Sequence, residues 1–481
     1  MTAPSLKTRF APSPTGLLHI GNIRTALYNY LWARHGAGVF LLRIEDTDAT
    51  RGEERYTDAL MADMQWLGLQ WDEGPNRGGA HAPYAQSQRG ATYETFAARL
   101  VETGLAYPCF CTEHELKLER KTQIAAGRPP RYSGKCRALS PHEVDARRAR
   151  GTPATLRFHV ADGRTVEFDD RVRGPQRFAT GDIGDFVIRR SDGTPAFFFC
   201  NAVDDALMGV TLVVRGDDHL TNTPRQILLL EALRLRAPDY AHIPLVVGAD
   251  GAPLSKRTGG RSLAGLRDAG YLPAGINNYL ARVGHSYDAE GLLSLEELAR
   301  RFDLARVHHS PARYDETQLL HWQREAVRAT PTEALWQWFG ADANALVPAR
   351  SRDAFIEAVR PNVTFPSEAL HWVHAVYADE LTLTHGAREV IEATGVDFFE
   401  QALAAVEKLQ SPDFARLAAE TASRSGTKGK ALYQPLRAAL TGELHGPEMA
   451  KLVPLMGADR LRRRLRHAAE AASAKHRQVN G

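Results

Sequence analysis

The spacing of apolar residues changes along this chain. Val39, Phe40, Leu41, Leu42 and Ile44 form a short run interrupted only by Arg43, which predicts a buried strand. Upstream, Ile23, Ala26, Leu27, Tyr30 and Leu31 recur every three or four positions, which predicts a helix from Asn22 to about His35. Arg9 and Phe10 read as the end of an earlier strand. Strands and helices alternate to about residue 108. From 109 to about 190 the chain turns rich in Arg, Gly and Pro, with strand-like stretches from Thr155 to Val160 and from Val187 to Arg190. This region reads as an insertion. From about 195 to 250 the sheet resumes, and Val210 to Val214 reads as a strand running into the polar turn Arg215 to His219. That placement suits a site at the C-terminal edge of a parallel sheet.

Leu263 to about Leu320 is mostly helical in pattern, and helix signals dominate beyond it. Thr330-Pro331-Thr332-Glu333 offers an N-cap, a proline at the first helical position and a capping acid. Ser411-Pro412-Asp413 opens another helix, which Gly426 closes.

Composition narrows the class. With 481 residues the chain holds several domains, and its 43% apolar share is that of a globular protein. No apolar run reaches membrane-spanning length, the residues from Met1 to Thr8 lack the apolar core of a secretion signal, and four cysteines do not make a disulfide framework. A cytoplasmic location without membrane contact is expected. Net charge is only +3, so its distribution says more than its total. Lys428, Lys430, Arg437, Lys451, Arg460, Arg462, Arg463, Arg464, Arg466, Lys475 and Arg477 make the end of the chain basic. Such a stretch either binds phosphate or forms a solvated helix face.

Candidate chemistry lies in two segments. The first runs from Ala11 to Asn22 and leads from strand to helix. A helix N-terminus offers unpaired N–H groups and partial positive charge, which suit phosphate. Gly16 and Gly21 let backbone approach a ligand, and His19 can donate to a phosphate oxygen. Alone, such a histidine is more often a helix cap or a surface residue. The second segment holds Ser255, Lys256 and Arg257, with Gly251 before them and Gly259-Gly260 after. Two cations there can balance charge on a leaving pyrophosphate; alone, they read as a solvated turn.

Together the two segments resemble the signatures of class I aminoacyl-tRNA synthetases. Arg9 to Gly21, Arg24 to Leu27 and Arg43 to Asp48 resemble the bacterial glutamyl-tRNA synthetases in particular. Asn22 stands in place of the second His of the class signature, as is common in that subgroup. Pro253 stands where the loop pattern has its first Lys. The resemblance implies a multidomain α/β plus all-α protein. A Rossmann-type parallel-sheet catalytic domain would occupy 1–108 and 195–262, split by an α+β insertion at 109–194 that binds the acceptor end. A stem-contact domain would follow at 263–320 and a helical anticodon-binding region at 321–481, within which Gln434 to Gly442 resembles the family.

The resemblance also implies roles. His19 and Lys256 would be catalytic. ATP would meet Pro12, Thr15, Gly16, His19, Gly21, Asn22, Ser255, Lys256 and Arg257. Glutamate would meet Arg9, Ser13, Glu45, Phe197, Asn201 and Arg215, with the two arginines toward carboxylates and Glu45 toward the ammonium. Phe197 holds a place usually taken by Tyr, so one hydroxyl contact is lost or replaced by water. Mg2+ would come with ATP, and tRNA-Glu, with or without tRNA-Gln, would be the second substrate. Trp336, Trp338, Trp372 and Arg360 are candidates to stack on anticodon bases. The family habit is a monomer that needs bound tRNA before it activates glutamate. Cys109, Cys111 and Cys136 with Tyr132 match a zinc set of some relatives, although Ala138 stands where some have His. A zinc-free fold with free thiols is the other reading. Two functional alternatives are a catalytically silent tRNA-binding paralogue and a glutamyl-queuosine tRNA synthetase-like enzyme. The latter lacks an anticodon region and fits this length poorly.

Overall fold

The computed structural model describes residues 5–47, 54–128, 130–252, 254 and 262–479, with side chains to 473. Pro253, Ser255, Lys256, Arg257, Gly259, Gly260 and Asp48 lie outside the described residues, as do the side chains of Lys475 and Arg477. Two compact units emerge: residues to Asp268 with Ile276–Leu319, and Ala269–Gly275 with the chain from Leu320 on.

In the first unit, strands β1 (Lys7–Phe10) and β2 (Val39–Leu42) pair in parallel, Lys7 opposite Val39 and Phe10 opposite Leu42. Helix α1 (Ile20–His35) connects them, as a parallel pair requires. Both strands are buried almost throughout, which explains an unbroken apolar run in place of alternation. β1 is buried yet polar because its side chains are partnered: Lys7 with Glu73, Thr8 with the Asn29 carbonyl, Arg9 with Asp205.

Strands β3 (Ala106–Cys109), β4 (Thr155–Phe158), β5 (Thr165–Asp170), β6 (Gly174–Ala179) and β7 (Phe186–Arg189) follow. β3, β4 and β7 form an antiparallel sheet, and β5 and β6 pair along their whole length. The parallel pair β8 (Leu212–Gly216) and β9 (Asp239–Ile243) comes next. β8 lies beside β1, where the Thr211 N–H donates to the Lys7 carbonyl at 2.9 Å. β5 touches β9 at Asp170 opposite Tyr240. The C-terminal ends of β1, β8 and β9 therefore open on the same side. Beneath them Leu41, Phe199, Val213 and Leu229 are almost wholly buried in one apolar cluster.

The second unit is helical. Phe355, Val373, Phe399, Leu436 and Leu465 fill its core. Asp413 caps the helix Phe414–Ser425 by accepting from Arg416 N–H, and Gly426 closes it in the left-handed region at φ 71°. Three expectations need correction. Thr330 does not cap the helix after it: its hydroxyl donates back to the Ala326 carbonyl, and the next helix begins at Thr332. Arg464 is not part of a basic surface. It is buried and donates to the carbonyls of Ala375, Leu440 and Ala378, which are helix-end acceptors lacking helical partners. Trp372 is buried in the core and unavailable to stack on a base. Trp338 donates its indole N–H to the Gly270 carbonyl at 2.9 Å, and Arg360 donates to Thr332. No helix among the described residues is long and apolar enough to cross a membrane.

Candidate active site

A cavity of about 700 Å³ sits at the strand ends. Every described candidate for ATP or glutamate lines it: Arg9, Pro12, Ser13, Thr15, Gly16, His19, Gly21, Asn22, Glu45, Phe197, Asn201 and Arg215. The turn that carries the first group is pinned to β2's extension. Arg43 N–H donates to Phe10 and Glu45 N–H to Pro12, both at 3.0 Å.

His19 is the N-cap of α1, and its Nδ1 accepts from the Gly21 N–H at 3.2 Å. The neutral ring then carries its proton on Nε2. The capping reading and the phosphate reading are thus two uses of one ring. Gly21 makes room for it: a Cβ there would come within 3.1 Å of the imidazole Cε1. The described neighbours of the Ser-Lys-Arg segment lie at the same place. Leu254 lines the cavity and donates its N–H to Val246, while Ser262 bridges to His19 and Leu263 N–H donates to Leu18.

The glutamate candidates stand on a buried charge cluster. Arg9 donates through Nε to Asp205 Oδ1 at 3.1 Å, and Arg43 donates to the same oxygen at 2.7 Å. Burial opposes ionisation of Asp205, but Arg43 and Arg9 outweigh it and hold the carboxyl below the ordinary Asp range. Glu45 accepts from Arg43 and from the Asn201 amide. Burial raises its pKa, and Arg43 and Arg9 only partly offset that rise. Asn201 also accepts from Gln226 at 2.9 Å, so its amide is engaged at both ends and holds Glu45 in place. Arg215 is 6% exposed, and Nη1 has no hydrogen-bond partner among the described residues. Burial lowers its pKa to about 10, which leaves it charged at neutral pH. A charged guanidinium with an unused buried N–H calls for an anion. Phe197 begins the helix Phe197–Leu207 and faces His219, ring centroids 5.6 Å apart.

Sequence reading missed the layer beneath. Asp204 accepts from Arg89, Gln86 and Tyr93, and His242 links Asp170 to Arg215. The partners lie 27 to 118 residues apart, so no local spacing announces them. A doubled Asp at the end of an apolar helix was the one available signal.

A second cluster sits in the insertion. The sulfurs of Cys109, Cys111 and Cys136 lie within 4.8 Å of one another, and none is in a disulfide. Tyr132 Oη is 3.4 Å from Cys109 Sγ and 3.5 Å from Cys111 Sγ. Cys111 and Cys136 sulfurs are 3.6 Å apart, close to the roughly 3.8 Å that two thiolates on one tetrahedral zinc subtend. Burial disfavours a thiolate at Cys109, yet hydrogen bonds with Tyr132 and Arg157 bring its pKa down to about 7.

Comparison with known proteins fits this geometry. The family model "tRNA synthetases class I (E and Q), catalytic domain" matches residues 5–321, and "Anticodon binding domain" matches 311–469. The chain is 57% identical to Glutamate--tRNA ligase 2 of Nitrosococcus oceani over 98% of its length and 99% of that protein's. It is 53% identical to Glutamate--tRNA ligase 1 of Methylococcus capsulatus, covering 96% and 98%. The crystal structure of a glutamate tRNA ligase from Elizabethkingia meningosepticum in complex with its amino acid superposes with a TM-score of 0.86 at 30% identity, covering 97% and 99%.

Proposed function

We propose, from the premise that the chain belongs to the class I tRNA synthetases for glutamate and glutamine, that the cavity around His19 is where ATP and glutamate react. The enzyme is a glutamate–tRNA ligase. It activates L-glutamate as glutamyl-adenylate and passes it to the 3′-terminal ribose of tRNA. Enzymes of this class use ATP with Mg2+, which neutralises phosphate charge when bound. The anticodon-domain match and the full-length ligase relatives set aside the queuosine-type and silent alternatives.

Each residue's part follows from its chemistry. The α-carboxylate of glutamate attacks the α-phosphorus, and pyrophosphate leaves. No protein nucleophile is needed, so the chain's contribution is positioning and charge stabilisation. Arg9 and Arg215 take the substrate carboxylates. Arg9 is shared with Asp205, whereas Arg215 keeps its Nη1 for the ligand. Glu45, steadied by Asn201, takes the ammonium. The α1 N-terminus, Gly16, Gly21 and the His19 Nε2–H meet the phosphates. Lys256 and Arg257, with Ser255, balance the leaving pyrophosphate. Support for their proximity comes from Leu254 and Ser262, which sit at the cavity and at His19. A ribose hydroxyl of tRNA then attacks the activated carbonyl and releases AMP.

The same reading assigns 109–194 to the acceptor end, 263–320 to the tRNA stem and 321–481 to the anticodon. It gives zinc to Cys109, Cys111, Cys136 and Tyr132, where it would tie β3 to the turn Lys135–Ala138. It takes the protein as a cytoplasmic monomer charging tRNA-Glu. The observation that carries the reading is the convergence of twelve expected ligand residues on one cavity. Pyrophosphate exchange with glutamate and ATP, run with and without tRNA, tests it. Exchange that depends on glutamate and needs tRNA is expected; no exchange in either mixture would overturn the reading.

A further inference from the structure

Arg215 meets the protein on two nitrogens. Its Nε–H donates to His242 Nε2 at 3.1 Å, and Nη2 donates to Thr223 Oγ1 at 2.8 Å. His242 is fully buried, and its Nδ1 lies 2.6 Å from Asp170 Oδ2. Asp170 is fixed in turn by main chain: Oδ1 accepts the N–H groups of Val172 (3.0 Å), Arg173 (2.8 Å) and His242 (3.1 Å).

The order of protons along this row is determined. A guanidinium only donates, so His242 Nε2 must present its lone pair, and the ring proton sits on Nδ1, where Asp170 accepts it. The Thr223 hydroxyl accepts from Arg215 and lies 3.1 Å from the same Nε2, to which it can donate its own hydrogen. Both groups that accept from Arg215 are neutral, and its guanidinium lies over the Tyr240 ring, 5.5 Å from the centroid. They fix its plane without bonding a carboxylate to it. Arg9 differs, since it bonds a carboxylate directly.

We propose that Asp170 and His242 are positioning residues for substrate recognition: by fixing the tautomer of the imidazole they hold Arg215 so that Nη1 points its N–H groups at a carboxylate of glutamate. This rests on the reading that Arg215 faces that carboxylate. The design follows the general need for a locked supporting layer behind a recognition group.

Substitution separates orientation from general damage. In Asp170→Asn the three main-chain donors keep the remaining oxygen, so the new amide N–H faces Nδ1. The proton is driven to Nε2, against the Arg215 Nε–H. The KM for glutamate in tRNA-dependent exchange should rise about tenfold or more, the loss of one charge-assisted contact, with the KM for ATP within about twofold. His242→Asn retains a donor for Asp170 but no acceptor for Arg215 and should behave likewise. His242→Gln offers Arg215 a carbonyl and should recover most of the affinity. If Asp170→Asn does not fold, the Asn and Gln variants of His242 decide. Equal KM values for those two, or parallel rises in the ATP and glutamate constants, would overturn the proposal. Arg215→Ala serves as the reference. If it raises the glutamate KM while Asp170→Asn and His242→Asn leave it unchanged, the positioning claim falls and the role of Arg215 stands. If it leaves the glutamate KM unchanged, the role of Arg215 falls and the positioning claim with it.

Discussion

His19 caps α1 through Nδ1, and the proposed function gives its Nε2–H a second job, donation to phosphate. Asparagine is a good N-cap and lacks a donor at the Nε2 position. His19→Asn should therefore leave the thermal midpoint close to that of the parent, while exchange falls by about a hundredfold, the typical loss of one transition-state donor. Stability assays and exchange on one preparation check both halves. Phe197 offers the converse test. Phe197→Tyr places a hydroxyl at the cavity beside His219, and the glutamate KM should drop several-fold, about 1 kcal/mol for one hydrogen bond. Legibility at this scale followed locality. Arg9, His19 and Glu45 stand in short motifs and could be picked from the chain. Asp205, His242 and Arg464 could not. Their partners are distant in sequence, and an arginine that serves buried helix ends looks, in a string, like one that serves RNA.

The ends of the first two strands are joined by a buried charge cluster. Asp205, on the helix Phe197–Leu207, joins Arg9 at the end of β1 to Arg43 just past β2. Removing it leaves two buried guanidinium groups short of an anion. Asp205→Asn should cost about 3–5 kcal/mol at pH 7 in denaturant unfolding. Its folded pKa lies below the ordinary Asp value, so its stabilisation is complete above about pH 4 and is lost as the pH falls further. The gap between parent and variant should narrow below that pH; a gap that stays constant would mean that Asp205 is not ionised in the fold. In the insertion, the three thiols and Tyr132 predict about one zinc per chain in metal analysis of purified protein, and loss of metal in Cys136→Ser. Less than about a tenth of an equivalent would remove zinc from the account. Element boundaries were legible where caps were local, as at Asp413 and Gly426. They were misread at Thr330, whose hydroxyl serves the preceding helix. Hydroxyls bond forward or backward with similar ease, and the string does not say which.

Over the whole chain, the cavity proposed for activation is built on β1, β8 and β9, and the matched anticodon domain belongs to a separate compact unit. The overall plan was legible because the period of the apolar residues shifts from mixed to purely helical near Leu320. Of the basic residues near the end of the chain, Arg464 is buried and leaves that surface, whereas Arg463 and Arg462 stay on it in pairs with Asp379 and Asp459. Charging of purified tRNA-Glu and tRNA-Gln settles substrate choice, and the account expects tRNA-Glu to be charged. Its central claim is that the turn at His19 and the cation of Lys256 act on one triphosphate. The most direct measurement is the rate of tRNA-dependent pyrophosphate exchange by Lys256→Ala beside the parent enzyme. The account predicts a loss of about two orders of magnitude with an unchanged thermal midpoint; exchange at the parent rate would contradict it.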